Sequence, residues 1–161
     1  MSKIIELINE KDTILVFDVD GVLAKMEWGK YNHYELTDEE WIKMCEAGEN
    51  AYTQERVFKK MQDFLKNRNM DRIYVITKVG SYKEGEFKKE FVSKYYNISP
   101  QNVYCVEKDI EKKIKLFEIK EKYQELEDFQ VVMIDDTVNV LNDIMENTGF
   151  STVHISSFLD I

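Results

Sequence analysis

Two carboxylates and a glycine follow directly on an apolar run near the start of the chain, in the sequence ILVFDVDGVL at positions 14–23. The run is rich in β-branched and aromatic residues, which is typical of a strand buried on both faces. Asp18 and Asp20 are two residues apart, so their side chains project in the same direction on an extended backbone. Neighbouring carboxylates repel and are costly to desolvate, so a site that keeps them together usually supplies a cation. The alternative is that Asp-x-Asp-Gly forms only a turn at the end of a strand.

A second pair of acids, Asp135 and Asp136, follows the apolar run at 131–134. Either acid alone could cap the helix that comes next. Both together, in a chain that already carries the first pair, predict an oxygen-rich site for a divalent cation. Carboxylate ligands with no histidine or cysteine beside them favour magnesium.

Groups suited to a phosphate lie between these two pairs of acids. Thr77 and Lys78 follow the apolar run of a predicted strand, where a hydroxyl and backbone N–H groups can bind an anion. A threonine at a strand end is more often structural. Lysines also open a predicted helix at 110–126, where the helix dipole opposes them. Most of these lysines are expected on a solvated face, and we expect one to reach the acidic site, Lys113 first and Lys112 second.

The predicted elements bring these groups to one edge of a sheet. Strands are predicted at 13–19, 72–77, 103–106, 131–134 and 152–155, and helices at 53–68, 86–96, 110–126 and 138–147. Strands that alternate with helices predict βαβ units and a parallel sheet covered on both faces. Open sheets of this kind bind ligands at the carboxyl ends of their strands.

Segment 24–51 interrupts this alternation directly after the first pair of acids. It contains the sequence TDEE at 37–40, a capping-box pattern that predicts a short helix. The segment is either a surface excursion with a satellite core or a lid over the strand ends, and its position favours the lid. Its aromatic residues are Trp28, Tyr31, Tyr34 and Trp41.

Length, charge and cysteine content narrow the class of protein. A chain of 161 residues suits one domain with a proper core. The net charge of −9 argues against a surface that coats a nucleic-acid polymer, because phosphate backbones require basic patches. Cys45 and Cys105 form neither a metal-ligand pattern nor a disulfide framework, and with no basic leader they favour a reducing, cytoplasmic location. No segment approaches the length needed to span a bilayer.

The order of the motifs resembles the haloacid dehalogenase-like (HAD) hydrolase superfamily over roughly residues 13–155. Residues 18–23 and the pair Asp135-Asp136 carry most of the resemblance. Thr77 and a lysine of the helix at 110–126 are weaker signals alone and are supported by their order and spacing. The resemblance implies a Rossmann-like α/β fold with a five-stranded parallel sheet in the order 5-4-1-2-3 and helices on both faces. It implies one domain over 1–161, with segment 24–51 as a small helical cap.

The resemblance also implies catalytic roles. Asp18 would be the nucleophile that forms an aspartyl-phosphate. Asp20 would protonate the leaving group and then activate water. Thr77 and Lys113 would hold the phosphoryl oxygens and stabilise developing charge.

The same resemblance implies a magnesium site and substrate contacts. Mg²⁺ would be bound by Asp18, the backbone carbonyl of Asp20 and Asp136, with Asp135 in support. The residues expected to contact the substrate are Gly21, Trp28, Lys78 and Lys112.

The implied activity is hydrolysis of a small phosphorylated metabolite, with a mononucleotide among the candidates. Family dehalogenases lack the second acid of the first motif and transport ATPases carry Thr there, so Asp20 favours phosphatase chemistry. A narrower resemblance to the deoxyribonucleotidase branch rests on residues 20–24 and the aromatics that follow, whereas Lys25 and the helix at 110–126 depart from that branch. The alternatives are a phosphatase for phosphopeptides and a non-catalytic phosphate-binding protein. The protein is expected to be a monomer or homodimer without a nucleic-acid or membrane partner.

Overall fold

A parallel five-stranded sheet forms the centre of the protein. The computed structural model describes residues 3–26 and 29–160. The strands lie in the order β3-β2-β1-β4-β5, which confirms the predicted order read from the opposite edge. They are β1 (Ile14–Phe17), β2 (Ile73–Lys78), β3 (Val103–Val106), β4 (Val131–Asp135) and β5 (Ser151–His154).

Strand β1 lies between β2 and β4, so three strand ends adjoin at the centre of one edge. Phe17 is in register with Val75 on β2 and with Ile134 on β4. The N–H of Asp18 donates to the carbonyl of Ile134 at 3.0 Å, which continues the ladder by one residue. Side chains that follow β1, β2 and β4 therefore face a common site.

In the described ranges, six α-helices cover both faces of the sheet. One face carries α1 (Lys3–Asn9), α2 (Asp38–Glu46), α3 (Lys59–Leu65) and α4 (Tyr82–Tyr96), and the other carries α5 (Lys112–Glu121) and α6 (Val138–Asn147). In β1, Leu15 and Phe17 pack in the first core and Ile14 and Val16 in the second. All four are buried, which explains the unbroken apolar run in the sequence. None of the helices in the described ranges is both long and apolar enough to cross a bilayer.

The prediction of a single helix at 53–68 is wrong. The chain forms a short 3₁₀ turn at Gln54–Arg56, becomes extended at Val57, and only then enters α3. Val57 forms an antiparallel bridge with Ala24, and the N–H of Lys25 donates to the carbonyl of Arg56 at 2.8 Å. Apolar spacing carries no information about this pairing with a distant segment, so the pattern suggested one helix.

Two other helices differ from the predicted limits. α4 begins four residues before the predicted start at position 86, because the hydroxyl of Ser81 accepts a hydrogen bond from the N–H of Glu84 and caps it. α5 ends at Glu121 rather than at position 126. α6 has the predicted limits.

Segment 24–51 contains α2, whose predicted capping box is confirmed. The hydroxyl of Thr37 accepts from the N–H of Glu40 at 3.2 Å, and the Glu40 carboxylate accepts from the N–H of Thr37 at 2.8 Å. Trp41 is buried and packs edge-on against Tyr52, whereas Tyr34 is exposed. Trp41 thus belongs to the main core on this face of the sheet and not to a separate satellite core. Trp28 lies outside the described residues.

A buried arginine holds the start of this segment in place. The guanidinium of Arg56 donates to the carbonyl of Lys25 at 2.7 Å and also to the carbonyl of Tyr31. It lies 5.7 Å from the ring centroid of Trp41. The side chain is fully buried, so the segment is fixed by buried hydrogen bonds as well as by apolar packing.

Candidate active site at the carboxyl edge of the sheet

The acids predicted from two strand ends lie together. Asp18 follows β1, Asp135 ends β4 and Asp136 comes directly after it. One carboxylate oxygen from each lies within 4.8 Å of the others. This grouping, called here the acidic cluster, is compatible with three oxygen ligands around one cation.

Asp18 has one carboxylate oxygen that is buried without a partner. Its Oδ2 lies 3.4 Å from Lys112 Nζ, whereas Oδ1 has no hydrogen-bond partner. Burial raises the pKa of Asp18 from 3.8 to about 6, with Lys112 opposing and Asp135 adding to the rise. A buried oxygen without a partner is costly. An electrophile at this position, a metal ion or a phosphorus atom, would offset that cost.

The two acids at the carboxyl end of β4 differ in their hydrogen bonds and burial. Both oxygens of Asp135 are occupied, because Oδ2 accepts from Lys112 Nζ at 2.8 Å and Oδ1 accepts from the N–H of Thr137 at 2.9 Å. Asp136 is only partly buried, and its Oδ1 accepts from the Thr137 hydroxyl at 3.2 Å. Burial and the charge of Asp18 raise the pKa of Asp136 above its ordinary value. Asp136 is therefore better placed than Asp135 to bind a cation directly.

Gly21 permits the close approach between the loop after β1 and Asp136. Its φ of +75° lies in the left-handed region, and a Cβ at this position would collide with the carboxylate of Asp136. The N–H of Gly21 donates to the carbonyl of Ala24 at 2.8 Å, which closes the turn. Glycine is therefore required at this position for two reasons: the backbone has a positive φ, and a side chain would collide with Asp136.

The structure places Lys112, and not Lys113, at the acidic cluster. Lys112 is 1% exposed, and its Nζ lies 2.8 Å from Asp135 and 3.4 Å from Asp18. Lys113 Nζ instead pairs with Asp143 on α6 at 2.9 Å. The expectation that put Lys113 first is wrong, because successive helical residues project roughly 100° apart and only one of the two can face the strand edge. Burial alone would lower the pKa of Lys112, but the neighbouring carboxylates raise it overall.

Asp20 belongs to a second buried network that the sequence did not predict. Lys88 Nζ lies 2.7 Å from Asp20 Oδ2, and the hydroxyl of Tyr52 donates to Oδ1 at 2.9 Å. Burial would raise the pKa of Asp20, but Lys88, His33 and the two hydrogen bonds bring it below its ordinary value. A sequence clue was present, since Lys88 lies among the apolar positions of α4 that face the core.

Thr77 is brought to the site, while the ammonium of Lys78 is directed outward. Thr77 is 1% exposed, and its hydroxyl lies 3.2 Å from Lys88 Nζ. The side chain of Lys78 is exposed, although its carbonyl accepts from Lys88 at 2.6 Å. Lys78 also lines a cavity at this edge of the sheet. A substrate in that cavity could reach this predicted cation.

A cavity of about 330 Å³ opens between segment 24–51 and the strand ends. Its walls combine apolar side chains with four acidic residues and Lys78. The lining residues include Asp20, Met26, His33, Leu36, Asp38, Trp41, Ile42, Lys78, Val79, Glu84 and Glu107. Asp20 is the predicted reacting group that lines this cavity.

Comparisons with known proteins support the fold and extend no further. No protein-family model matches the chain, and no curated protein is significantly similar to it in sequence. Among solved structures, DsGPDH of Dunaliella salina matches with a TM-score of 0.57 at 14% identity. The match covers 94% of this chain and 25% of that chain, so this chain spans a quarter of the length of that protein. At this identity the likeness shows a shared Rossmann-like α/β fold.

Proposed function

We propose that the protein is a magnesium-dependent phosphomonoester hydrolase of the HAD superfamily that forms an aspartyl-phosphate on Asp18. The observation that carries this proposal is the buried, unpartnered Oδ1 of Asp18 beside Asp136 and the ammonium of Lys112. A structural aspartate would be expected to satisfy both oxygens within the protein. This carboxylate has instead an oxygen available for an electrophile.

The donor set of the acidic cluster fits magnesium. The candidate ligands are carboxylate oxygens of Asp18 and Asp136 together with the backbone carbonyl of Asp20, all hard donors. Asp135 supports the cluster, since its oxygens already accept from Lys112 and Thr137. When bound, Mg²⁺ would neutralise charge on the phosphoryl group and reduce its repulsion from Asp18.

In the first half-reaction the carboxylate of Asp18 attacks phosphorus, and the bond from phosphorus to the ester oxygen breaks. Lys112 is held beside Asp18 by Asp135 and balances charge on the transferring group. The buried hydroxyl of Thr77 supplies a hydrogen-bond donor at the end of the neighbouring strand. In the second half-reaction water attacks phosphorus, the bond from phosphorus to the Asp18 oxygen breaks, and inorganic phosphate leaves with the Asp18 carboxylate restored.

Asp20 is the general acid of the first step and the general base of the second. In its protonated form it gives its proton to the departing ester oxygen, and the resulting carboxylate then takes a proton from the attacking water, which regenerates the acid. Its contacts with Lys88 and Tyr52 favour the carboxylate, as the lowered pKa of Asp20 indicates. The carboxylate is the form that activates water. We therefore expect leaving groups that depart without full protonation, such as phenolates, to be turned over faster than alkoxides.

The cavity beside Asp20 supports a small substrate without a second anionic group. Asp38 and Glu107 line it together with apolar side chains. Carboxylates disfavour a leaving group that carries another phosphate or carboxylate, and they favour a neutral or cationic one. We propose a phosphorylated metabolite of that kind as the substrate class.

Release of inorganic phosphate from a generic aryl phosphate, with magnesium or with a chelator, tests the proposed function. Wild type should release phosphate only with magnesium, and Asp18→Asn, the inactive control, should release none. A panel of phosphorylated metabolites, mononucleotides and phosphopeptides then distinguishes the substrate classes. Lack of magnesium-dependent turnover on every member of the panel would contradict the proposal and favour a non-catalytic phosphate-binding protein.

A further inference from the structure

One buried ammonium contacts both Asp20 and Thr77. Lys88 on α4 is 1% exposed, and its Nζ lies near four acceptors. They are Asp20 Oδ2 at 2.7 Å, Glu84 Oε1 at 2.9 Å, Thr77 Oγ1 at 3.2 Å and the carbonyl of Lys78 at 2.6 Å. The network joins the loop after β1, the end of β2 and the first half of α4.

We infer that Lys88 is a positioning residue, which fixes the carboxylate of Asp20 and the hydroxyl of Thr77 in the orientations that phosphoryl transfer requires. The inference rests on the proposed function. Lys88 itself is expected to contact neither the phosphate nor the metal, because its three protons are shared among protein acceptors.

The contact with Thr77 determines which way its hydroxyl donates. An ammonium group has donors and no acceptor, so Thr77 Oγ1 must accept from Lys88. The hydroxyl proton of Thr77 therefore points away from Lys88 and stays available to a phosphoryl oxygen. Without this constraint the hydroxyl could rotate and donate to the carboxylate of Asp20 or to a backbone carbonyl.

The contact with Asp20 fixes a carboxylate by both oxygens. Lys88 holds Oδ2 and the hydroxyl of Tyr52 holds Oδ1, so rotation of the carboxylate breaks at least one hydrogen bond. Proton transfer needs donor and acceptor within hydrogen-bond reach. A carboxylate held at both oxygens meets this geometry without reorganisation during the reaction.

Glu84 serves to keep the ammonium in place. It lies four residues before Lys88 on α4, and its second oxygen accepts from the N–H of Gly80 at 2.8 Å. Burying a lysine together with two carboxylates costs desolvation free energy, which an apolar side chain at this position would not cost. The arrangement is understandable if the ammonium is needed to orient groups at the neighbouring site.

The test uses a charge-balanced pair of substitutions. Lys88→Met alone would leave Asp20 and Glu84 buried without a cation and could unfold the protein. Lys88→Met/Glu84→Gln removes one charge of each sign from the network. The matched control is Lys89→Met/Glu86→Gln, which removes a more exposed ion pair of 3.4 Å from the same helix.

Crystal structures of the wild type and both double variants are compared first, and then kcat and KM with an aryl phosphate and magnesium. We expect Asp20 and Thr77 to occupy more than one rotamer in the Lys88 variant, with kcat lower by about 10- to 100-fold and KM changed by less than about three-fold. The control should match the wild type. Normalising kcat to the folded fraction, from thermal unfolding, separates positioning from loss of structure.

Wild-type rotamers of Asp20 and Thr77 in the folded Lys88 variant would overturn the inference, and so would altered rotamers with an unchanged kcat. If the wild type hydrolyses no phosphate ester, the proposed function fails. The rotamers alone then decide whether Lys88 orients these two side chains, because that comparison requires no turnover.

Discussion

The ammonium of Lys112 donates to the carboxylate of Asp135 at 2.8 Å, with both side chains almost completely buried. The contact connects the first turn of α5 to the end of β4 and balances the charge of the innermost acid of the cluster. It thereby leaves Asp18 and Asp136 as the carboxylates with capacity for a cation.

This contact predicts different results for two adjacent lysines. Lys112→Met should lower kcat/KM by about 100-fold or more and destabilise the fold by about 3–5 kcal/mol, because two buried carboxylates lose their cation. Lys113→Met removes only the partly exposed pair with Asp143, so its cost should be about 0–1 kcal/mol with activity retained. Chemical denaturation and initial rates check both values. Equal losses in the two variants would remove Lys112 from the proposed mechanism.

Asp18→Asn should abolish turnover and stabilise the metal-free protein increasingly as the pH rises. The pKa of Asp18 rises from 3.8 to about 6 on folding, so in this pH interval the folded state retains a proton that the unfolded chain has lost. The contribution of Asp18 therefore destabilises the fold as pH rises through that window. The asparagine cannot ionise, which removes this loss.

Thermal unfolding with a chelator, measured at several pH values between about 4 and 7.5, checks the effect of Asp18→Asn on the pH profile. The difference in Tm between variant and wild type should grow with pH and reach a plateau above the folded pKa. Asp63→Asn, in an exposed ion pair with Lys59, is the control and should show no such growth. A pH-independent difference would mean that Asp18 is not the group that titrates.

Asp136→Ala should lose activity and the response to magnesium together. A ligand that binds only the folded state raises Tm, so saturating magnesium should stabilise wild type by several degrees and leave the variant unchanged. Without metal the variant should be no less stable than wild type, because the cluster repels itself. Asp63→Ala serves as the control for loss of a carboxylate. Equal stabilisation of wild type and Asp136→Ala by magnesium would show that Asp136 is not a ligand.

The carboxylates of the cavity should exclude substrates with a second anionic group. Asp38→Asn/Glu107→Gln removes two charges from its lining. We expect kcat/KM for a bisphosphorylated substrate to rise by about five-fold or more relative to a phosphomonoester of a neutral alcohol. Hydrolysis of acetyl phosphate, which is too small to occupy the cavity, should stay constant. If all three substrates change in parallel, the cavity does not bind the leaving group.

The strand-end acids could be predicted because the pattern that carries them is local: apolar runs that stop at charged residues report strand ends. The sheet order came from the resemblance to the HAD superfamily, since alternation of strands and helices predicts a parallel sheet but does not determine which strands adjoin. The choice between Lys112 and Lys113 could not be made, since it depends on the rotation of α5 about its axis. That rotation is set by the packing of Leu116 and Ile119 in the core.

The second network escaped prediction for a different reason. Lys88 lies in α4, whose apolar spacing fits an ordinary amphipathic helix and does not mark this lysine as unusual. Its partners Asp20 and Tyr52 are distant in sequence. Pairing of Val57 with Ala24 was missed in the same way. Contacts between side chains far apart in the chain depend on the tertiary packing, which periodicity does not describe.

The charges of the two buried networks predict the order in which ligands would bind under the proposed function. The two networks contain six carboxylates and two ammonium groups, a formal charge of −4, on Asp18, Asp20, Glu84, Asp109, Asp135, Asp136, Lys88 and Lys112. A phosphate dianion approaching this edge alone is repelled, whereas a divalent cation is attracted. Under the proposed function we therefore expect ordered addition, with the metal first and the phosphate ester second. Inorganic phosphate, the second product, should accordingly inhibit only when magnesium is present, as product-inhibition kinetics at several magnesium concentrations would reveal.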